Sequence, residues 1–320
     1  MRILISGSIA FDTIMSFSGR FSEHFLPDKL DRISVSFLVD SMTRQHGGVG
    51  ANIAYNLALL GERPILFGTV GQDFASYRQA LETAGVDVFG VRTIADEFTA
   101  SCFINTDQRE NQIVFFYVGA MREAGKRSIE SYRDKVDLAV ISPNAPDAMV
   151  RHAAECKEFG ISYVWDPSQQ IVNLDGASLR KGAEGARLLI MNEYEEEMFL
   201  KKTGCARSDL LSLSKIVVVT LGENGSEIRT AEGILTIPPV RPEAIVDPTG
   251  VGDAYRSGLI KGMAHGLDLE PCGRMGSLAA AYVLETRGTQ NHRYAPSEFL
   301  ERYARVFGPS DALSQCMDER

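Results

Sequence analysis

The chain has 320 residues, of which 44% are hydrophobic and 23% are charged, and its formal net charge is −9. This is ordinary globular composition with enough apolar material for a full core, so no disulfide or metal is needed to hold the fold. The acidic balance disfavours nucleic acid as a partner, and no segment approaches the length of a membrane span.

The cysteines and the amino terminus indicate where the protein works. The five cysteines are odd in number and none pairs with another at C-x-x-C spacing, which disfavours a zinc site or a redox dithiol. They are typical of the reduced thiols of a cytosolic protein. Met1–Gly7 leads directly into a strand pattern and lacks the features of a signal peptide. We therefore expect a cytoplasmic protein.

The first third of the chain mixes a central strand with strands of another kind. Ile3–Ile5 is a short apolar strand, and Ala51–Leu60 is a predicted helix. Ile33–Phe37 alternates apolar and polar residues, as a half-buried strand does. Thr99–Asn105 and Gln112–Val118 are two strand patterns around a polar turn, which predicts a hairpin. The alternating segments indicate a small antiparallel sheet inserted into a larger domain.

From about residue 137 the pattern becomes regular. Short apolar strands alternate with helical stretches, which predicts βαβ units, a parallel sheet and helices on both of its faces. The strands are predicted at Leu138–Ile141, Tyr163–Trp165, Leu188–Met191 and Ile216–Thr220, with helices from Ala145, over 177–185 and over Glu193–Lys202.

These patterns define a domain organisation. A doubly wound, mainly parallel α/β nucleotide-binding domain is predicted from residues 1–12, 46–96 and 120–308. A β-sheet lid is predicted from 13–45 and 97–119. No regular structure is predicted for the tail, 309–320.

The strongest chemical signal is the segment Asp247-Pro-Thr-Gly-Val-Gly-Asp253, which opens the helical pattern Ala254–Met263. A glycine-rich turn at a helix start leaves backbone N–H groups free to bind an anion, and the helix dipole adds positive charge. Gly250 and Gly252, with Val251 between them, would cradle a transferring phosphoryl group. Asp253 would accept the proton of an attacking alcohol.

This turn also has a simpler interpretation, and two other nucleotide-binding motifs are disfavoured. Asp253 could only cap the helix, with the glycines forming an ordinary turn. Gly119–Arg127 superficially resembles a P-loop, but it has one intervening residue too many and no Ser or Thr after the lysine. No G-x-G-x-x-G follows the first strand, so a dinucleotide oxidoreductase is disfavoured.

Together with two further motifs, this segment resembles the ribokinase (PfkB) family of carbohydrate and nucleoside kinases. The other motifs are Gly47-Gly48-Val-Gly-Ala-Asn52 and Asn192-Glu-Tyr-Glu195, the family's N-x-x-E motif. The resemblance extends from Ser6 to about Gln290. It is greatest to bacterial adenosine kinases, through Gly19–Ser22, Ser34–Val39, Phe116–Met121 and Asp166–Gln170. The family fold is a doubly wound α/β domain with a small β lid over the acceptor site.

The resemblance implies an acceptor site. Asp12 matches the aspartate that binds ribose hydroxyls, and Gly48 and Asn52 match residues beside the sugar. The positions around a nucleoside are Ser8, Ser36, Phe116, Gln169 and Gln170, of which Phe116 could stack on the purine. Lid core packing for Phe116 and a solvated loop for the glutamines remain open as alternatives.

The resemblance also implies an ATP site. Asn192 and Glu195 match the motif that organises Mg²⁺ and phosphates, with Glu195 acting through water. Thr220, Gly222 and Thr249 match positions near ATP. The implied cofactors are ATP and Mg²⁺, and a requirement for a monovalent cation such as K⁺ stays open. The implied partners are small molecules, and a homodimer through the lid is compatible with the family.

The expected reaction is therefore ATP-dependent phosphorylation of the 5′-hydroxyl of adenosine to AMP, a purine-salvage step. The alternative is the same chemistry on another nucleoside or on a sugar such as ribose or fructose. One departure bears on this choice, since Asn173 stands where close bacterial relatives carry an arginine. A protein that keeps the fold without turnover is disfavoured by the intact Asp253 and N-x-x-E motif.

Overall fold

The computed structural model describes residues 1–318, in which two separate sheets form. The strands are β1 (Ile3–Ser6), β2 (Ala10–Ser16), β3 (Ser41–Gly47), β4 (Ile65–Val70), β5 (Val91–Thr93), β6 (Ala100–Thr106), β7 (Gln112–Tyr117), β8 (Leu138–Ile141), β9 (Ser162–Trp165), β10 (Leu188–Asn192), β11 (Ile216–Thr220), β12 (Ser226–Thr230) and β13 (Gly233–Ile237). The helices are α1 (Val49–Leu59), α2 (Ala75–Ala84), α3 (Pro146–Phe159), α4 (Gly176–Ala183), α5 (Glu193–Thr203), α6 (Leu210–Leu213), α7 (Val251–Ala264), α8 (Leu269–Leu284), α9 (Pro296–Phe307) and α10 (Asp311–Asp318).

The large sheet has nine strands in the order β13-β12-β11-β10-β9-β8-β1-β4-β5. Every pairing from β11 to β5 is parallel, and β12 and β13 extend that edge antiparallel. The chain starts in the middle of the sheet and builds outward in both directions, which is the doubly wound arrangement. The predicted fold class is confirmed.

Side chains of each parallel strand alternate between two apolar layers. Ile3 and Ile5 pack in a core that includes residues of α1 and α7, whereas Leu4 packs in a core that includes residues of α3 and α4. Because both faces are covered by helices, these strands read as continuous apolar runs. No helix among residues 1–318 is long and apolar enough to cross a membrane.

The small sheet has the order β3-β2-β6-β7 and forms the predicted lid. Its outer pairings are antiparallel and the central pairing, β2 with β6, is parallel. Asp12 lies within β2, directly opposite Cys102, which in turn pairs with Phe116 of β7. These three side chains therefore share one face of the sheet, since only every second residue of a strand points to the same side.

Two predicted elements were wrong. Ile33–Phe37 forms no strand, because Ile33 and Val35 find no buried face and Phe37 packs instead against the rings of Phe17 and Phe21. The predicted irregular tail contains the helix α10, whose apolar side chains pack on the core beside α8 and α9. The last two residues of the predicted tail lie outside the described range.

Candidate active site

A cavity of about 700 Å³ lies between the lid and the carboxyl ends of the central strands. This is the edge of a doubly wound sheet where ligands bind. Most of the predicted site residues line the cavity: Ser8, Asp12, Gly48, Asn52, Phe116, Gln169, Gln170, Asn192, Glu195, Thr220, Thr249, Gly250, Gly252 and Asp253.

Three predicted residues do not line it. Ser36 lies in the segment Ile33–Phe37, which forms no strand. Gly222 begins a short turn after β11, and Val251 is the first residue of α7.

The amino terminus of α7 is shaped by Gly250. This residue is the N-cap and adopts a left-handed conformation with φ of 82°, and a Cβ there would meet the Thr289 side chain at 3.0 Å. The amide of Val251 donates to the carbonyl of Pro248 over 3.4 Å, whereas the amides of Gly252 and Asp253 have no hydrogen-bond partner among residues 1–318. Two free amides at a helix start form a site for an anion.

Asp253 is buried beside these amides and does not cap its helix. Its Oδ2 accepts a hydrogen bond from Nδ2 of Asn52 over 2.8 Å, and no side-chain cap forms at Gly250. The Asp253 side chain therefore accepts from α1 and not from an amide at the start of its own helix. Burial raises the pKa of the Asp253 carboxyl to about 6, although Arg256 and Asn52 act in the opposite direction. Such a pKa suits a general base that works near neutral pH.

Asn52, the hydrogen-bond partner of Asp253, is itself held by a chain of hydrogen bonds. The Asn52 Oδ1 accepts from Nε2 of Gln290 over 2.8 Å, and the same nitrogen donates to the Tyr77 hydroxyl over 2.6 Å. Tyr77 donates in turn to the carbonyl of Gly47 over 2.9 Å. Because both ends of the Asn52 amide are engaged, its orientation toward Asp253 is set by the protein.

Arg256 and Asp166 form a buried ion pair beneath the same end of the cavity. Nη2 of Arg256 donates to Oδ1 of Asp166 over 2.8 Å, and Nε lies 2.7 Å from Oδ2. Burial acts to lower the pKa of the guanidinium, but Asp166, Asp253 and Glu195 outweigh burial and raise it above its ordinary value. Arg256 therefore remains charged.

Asn192 and Glu195 cap helix α5 reciprocally. The Asn192 Oδ1 accepts from the Glu195 amide over 2.8 Å, and the Glu195 Oε2 accepts from the Asn192 amide over 2.9 Å. One carboxylate oxygen of Glu195 is left for a ligand. Within residues 1–318 no group of three or more His, Cys, Asp or Glu side chains could hold a metal ion alone. The site fits a Mg²⁺ carried by phosphates and water, with Glu195 nearby.

The other end of the cavity lies under the lid. Burial, Asp253 and Asp247 together raise the pKa of the Asp12 carboxyl to about 6. Phe116 reaches the cavity from β7 with 52% of its surface exposed. Gln170 accepts a hydrogen bond from Nδ2 of Asn173 over 2.9 Å, so Asn173 also lines this end.

Gly48 and Ser8 lie where the backbone of α1 approaches the turn between β1 and β2. Gly48 has φ of 90°, and a Cβ there would lie 2.6 Å from the amide of Ala10. The hydroxyl of Ser8 accepts a hydrogen bond from the Val49 amide over 3.0 Å and so caps α1. Both residues join α1 tightly to the turn between β1 and β2.

Several residues that line the cavity or bond to its lining were not predicted from the sequence. Arg256 lies three positions after Asp253, a helical spacing that places it on the same face of α7. Thr289 and Gln290 belong to the string at which the family resemblance ends. Ser168 has a positive φ of 37° and lines the cavity, but no sequence pattern announces this strained backbone.

Sequence comparison with known proteins assigns the chain to a family. The sequence profile of the pfkB family carbohydrate kinases matches residues 14–295. A nucleoside kinase of Methanothermobacter thermautotrophicus is 31% identical over 318 residues, which cover 96% of this chain and 96% of that protein.

Solved structures agree with this assignment. The nucleoside kinase of Burkholderia thailandensis in complex with inosine shares 37% sequence identity, with a TM-score of 0.83 over 96% of this chain and 98% of that chain. The nucleoside kinase of Methanocaldococcus jannaschii, an archaeal member of the ribokinase family, shares 26% identity with a TM-score of 0.85, over 95% of this chain and 98% of that one. These relatives are named nucleoside kinases, a broader description than the adenosine kinases that the sequence resembles. The chain belongs to the pfkB family of carbohydrate kinases and is a phosphotransferase.

Proposed function

We propose that the protein is a nucleoside kinase that transfers the γ-phosphoryl group of ATP to the 5′-hydroxyl of adenosine. The observation that carries this proposal is the position of Asp253, a buried carboxylate beside two free amides at a helix amino terminus. The cavity extends from this point to an aromatic ring and two carboxamides under the lid. One end of the cavity carries a general base and an anion site, and the other end offers a surface for a flat nucleobase. This arrangement fits a nucleoside acceptor.

In the proposed reaction Asp253 takes the proton of the 5′-hydroxyl as its oxygen attacks the γ-phosphorus. The bond between this phosphorus and the β–γ bridging oxygen breaks, and ADP leaves with the electron pair. The amides of Gly252 and Asp253 donate to oxygens of the transferring group, where negative charge is spread in the transition state. Asn52 holds Asp253 in place through the 2.8 Å hydrogen bond.

At the ATP end, Asn192, Glu195, Thr220 and Thr249 line the cavity. Bound Mg²⁺ supplies neutralising charge to the phosphates. The free carboxylate oxygen of Glu195 would orient the water around that ion. Its partner oxygen is held by the Asn192 amide, so the carboxylate is pre-oriented.

At the acceptor end, Asp12 would accept hydrogen bonds from the ribose hydroxyls, because a carboxylate can accept from a vicinal diol with both oxygens. Phe116 would stack on the purine. Gln169 and Gln170 would pair with the edge of the base. Carboxamides offer donors and acceptors alike, so the same residues could serve inosine, which a Burkholderia thailandensis relative binds.

The test is product analysis with purified protein, MgATP and adenosine. Phosphorus NMR should show formation of ADP and of a phosphomonoester coupled to the 5′ protons. Comparison of kcat/KM for adenosine, inosine and guanosine then identifies the base. A 2′- or 3′-phosphate, or no transfer to any nucleoside, contradicts the proposal, while a higher kcat/KM for inosine corrects the base alone.

A further inference from the structure

Arg256 is a buried charged side chain to which the proposed mechanism gives no task. It is 7% exposed, and its partner Asp166 is fully buried at the end of β9. Burying a guanidinium is costly unless it is paired, and a buried pair adds little to stability over apolar side chains of the same volume. A role in the cavity that Arg256 lines would explain why this site carries the pair.

The geometry of the pair leaves one nitrogen for a ligand. Nη2 donates a hydrogen bond to Oδ1 of Asp166, whereas Nε makes only a charge contact with Oδ2, so one hydrogen bond and one close contact hold the guanidinium against the carboxylate. Nη1 makes no hydrogen bond within residues 1–318. A Cβ on Gly252 would lie 2.7 Å from Nη1, which places this nitrogen directly beside the glycine turn.

Helical spacing brings Nη1 and the anion site together. Gly252 and Asp253 lie four and three residues before Arg256 on α7, and residues at these separations are neighbours on a helix surface. The free amides of Gly252 and Asp253 lie at the same end of the helix. Amides and guanidinium therefore converge on one part of the cavity, which carries the Asp253 carboxylate as well.

We propose that Arg256 is a further catalytic residue, whose Nη1 donates to an oxygen of the transferring phosphoryl group in the transition state while Asp166 holds it in position. The proposal rests on phosphoryl transfer at Asp253 and not on which alcohol is the acceptor. A guanidinium is always charged and binds phosphate oxygens directionally. Its charge would offset the negative charge that accumulates on the phosphoryl oxygens.

A structural role is the rival explanation. Asp166, Asp253 and Glu195 all act on the Arg256 guanidinium, which could serve only to neutralise these carboxylates. Lysine separates the two roles. It keeps one positive charge, but its single nitrogen cannot contact Asp166 while a second nitrogen is presented toward Gly252.

The experiment compares Arg256→Lys and Arg256→Gln with the wild type, using whichever acceptor the wild type phosphorylates fastest. Arg302→Lys is the matched control, because Arg302 forms a similar two-oxygen pair with Glu285 away from the cavity. Three quantities are measured: kcat, the affinity for MgATP, and the affinity for MgADP with fluoroaluminate and the acceptor, a mimic of the transition state. Thermal unfolding checks that each variant is folded.

We expect both Arg256 variants to lose about 10²- to 10³-fold in kcat, the loss seen on removing an oxyanion donor. Affinity for the fluoroaluminate complex should fall in parallel, and affinity for MgATP should change by less than about threefold. Arg302→Lys should match the wild type. If Arg256→Gln does not fold, Arg256→Lys decides alone.

Two results overturn the proposal. One is a kcat of Arg256→Lys within about threefold of the wild type, which would assign Arg256 to charge neutralisation. The other is an equal loss of MgATP and fluoroaluminate affinity. Failure of the proposed function would give a different result. The wild type would then phosphorylate a sugar faster than every nucleoside, and the Arg256 variants could still lose activity toward that sugar.

Discussion

The two ends of the cavity are built in different ways. At the transfer end, Asn52, Asp253 and Arg256 are 4%, 8% and 7% exposed, and each is bonded to another buried group. At the acceptor end, Phe116 is half-exposed and Gln169 is exposed. Among residues 1–318, the Gln170 side chain bonds there only to the exposed Asn173.

This difference separates the reaction from the choice of substrate. Buried side chains that are hydrogen-bonded to one another permit few arrangements, so we expect the transfer end to support one chemistry. Exposed and half-exposed side chains can be exchanged without disturbing a core. We therefore expect substitutions at the transfer end to change kcat, and substitutions at the acceptor end to change KM.

Asp253→Asn should have the largest effect. Loss of the base should reduce kcat by about 10³-fold or more, at the upper part of the range for general-base catalysis. An asparagine keeps a side-chain oxygen for the Asn52 donor, so binding of ATP should be preserved. Steady-state kinetics and calorimetric titration of an ATP analogue measure the two quantities.

The control for this variant is Asp175→Asn, which changes the same atoms at the N-cap of α4, where asparagine also caps well. It should have wild-type kinetics. A kcat of Asp253→Asn within tenfold of the wild type would contradict the role of the base.

Phe116→Ala should have the next largest effect and act on binding. Removing a ring that stacks on the base costs about 1 kcal/mol, so KM for adenosine should rise roughly 5- to 10-fold with kcat nearly unchanged. Phe115→Ala is the matched control, because Phe115 is the exposed neighbour on the opposite face of the lid. Equal effects of the two substitutions would place the base elsewhere.

Gln290→Leu should have a smaller effect, because Gln290 acts on Asp253 only through Asn52. The Asn52 Oδ1 would lose its donor, and the amide would hold Asp253 less firmly. We expect a fall in kcat of about 3- to 10-fold and a loss of about 1–3 kcal/mol in the free energy of unfolding. Gln79→Leu on the exposed side of α2 is the control. A kcat unchanged by Gln290→Leu would separate this chain of bonds from catalysis.

The pH dependence should distinguish the transfer end from an ordinary surface. In the proposed mechanism Asp253 works as a carboxylate, and its pKa is raised to about 6, so kcat/KM should fall as pH drops through about 6. Asp12, with a pKa also near 6, contributes to the same limb, so the apparent values belong to the pair. Activity maintained down to pH 4.5 would contradict this assignment.

The raised pKa of Asp253 should also make the stability of the protein depend on pH. The pKa of the Asp253 carboxyl is about 6 in the folded protein and 3.8 in the unfolded chain. Between pH 3.8 and pH 6 the folded protein therefore binds more protons at Asp253 than the unfolded chain does, so this group lowers the free energy of unfolding as pH rises. Asp253→Asn should therefore unfold at higher temperature than the wild type above pH 6. The difference should disappear below about pH 4.

Local patterns predicted much of this molecule. The apolar runs at Leu138–Ile141 and Ile216–Thr220 identified central strands, because a sheet covered on both faces needs continuous apolar residues. The glycine turn before Asp253 predicted a helix start with free amides, because the first amides of a helix have no partner within the helix.

What sequence could not predict depends on distant partners. Ile33–Phe37 has the alternation of a strand but finds no neighbouring strand, and alternation alone does not supply one. Asp166 and Arg256 are 90 residues apart, and only the sheet topology brings them together. The same holds for Gln290 and Asn52, which are separated by 238 residues.

The central claim is that a transfer end of fixed chemistry is joined to an acceptor end that selects a nucleoside. Internal competition tests it most directly: adenosine and ribose at equal concentration share one reaction with MgATP, and mass spectrometry gives the ratio of their phosphates. We predict AMP in at least about 100-fold excess, since stacking and base-edge contacts together contribute roughly 3 kcal/mol. Ribose phosphate as the major product would contradict the account.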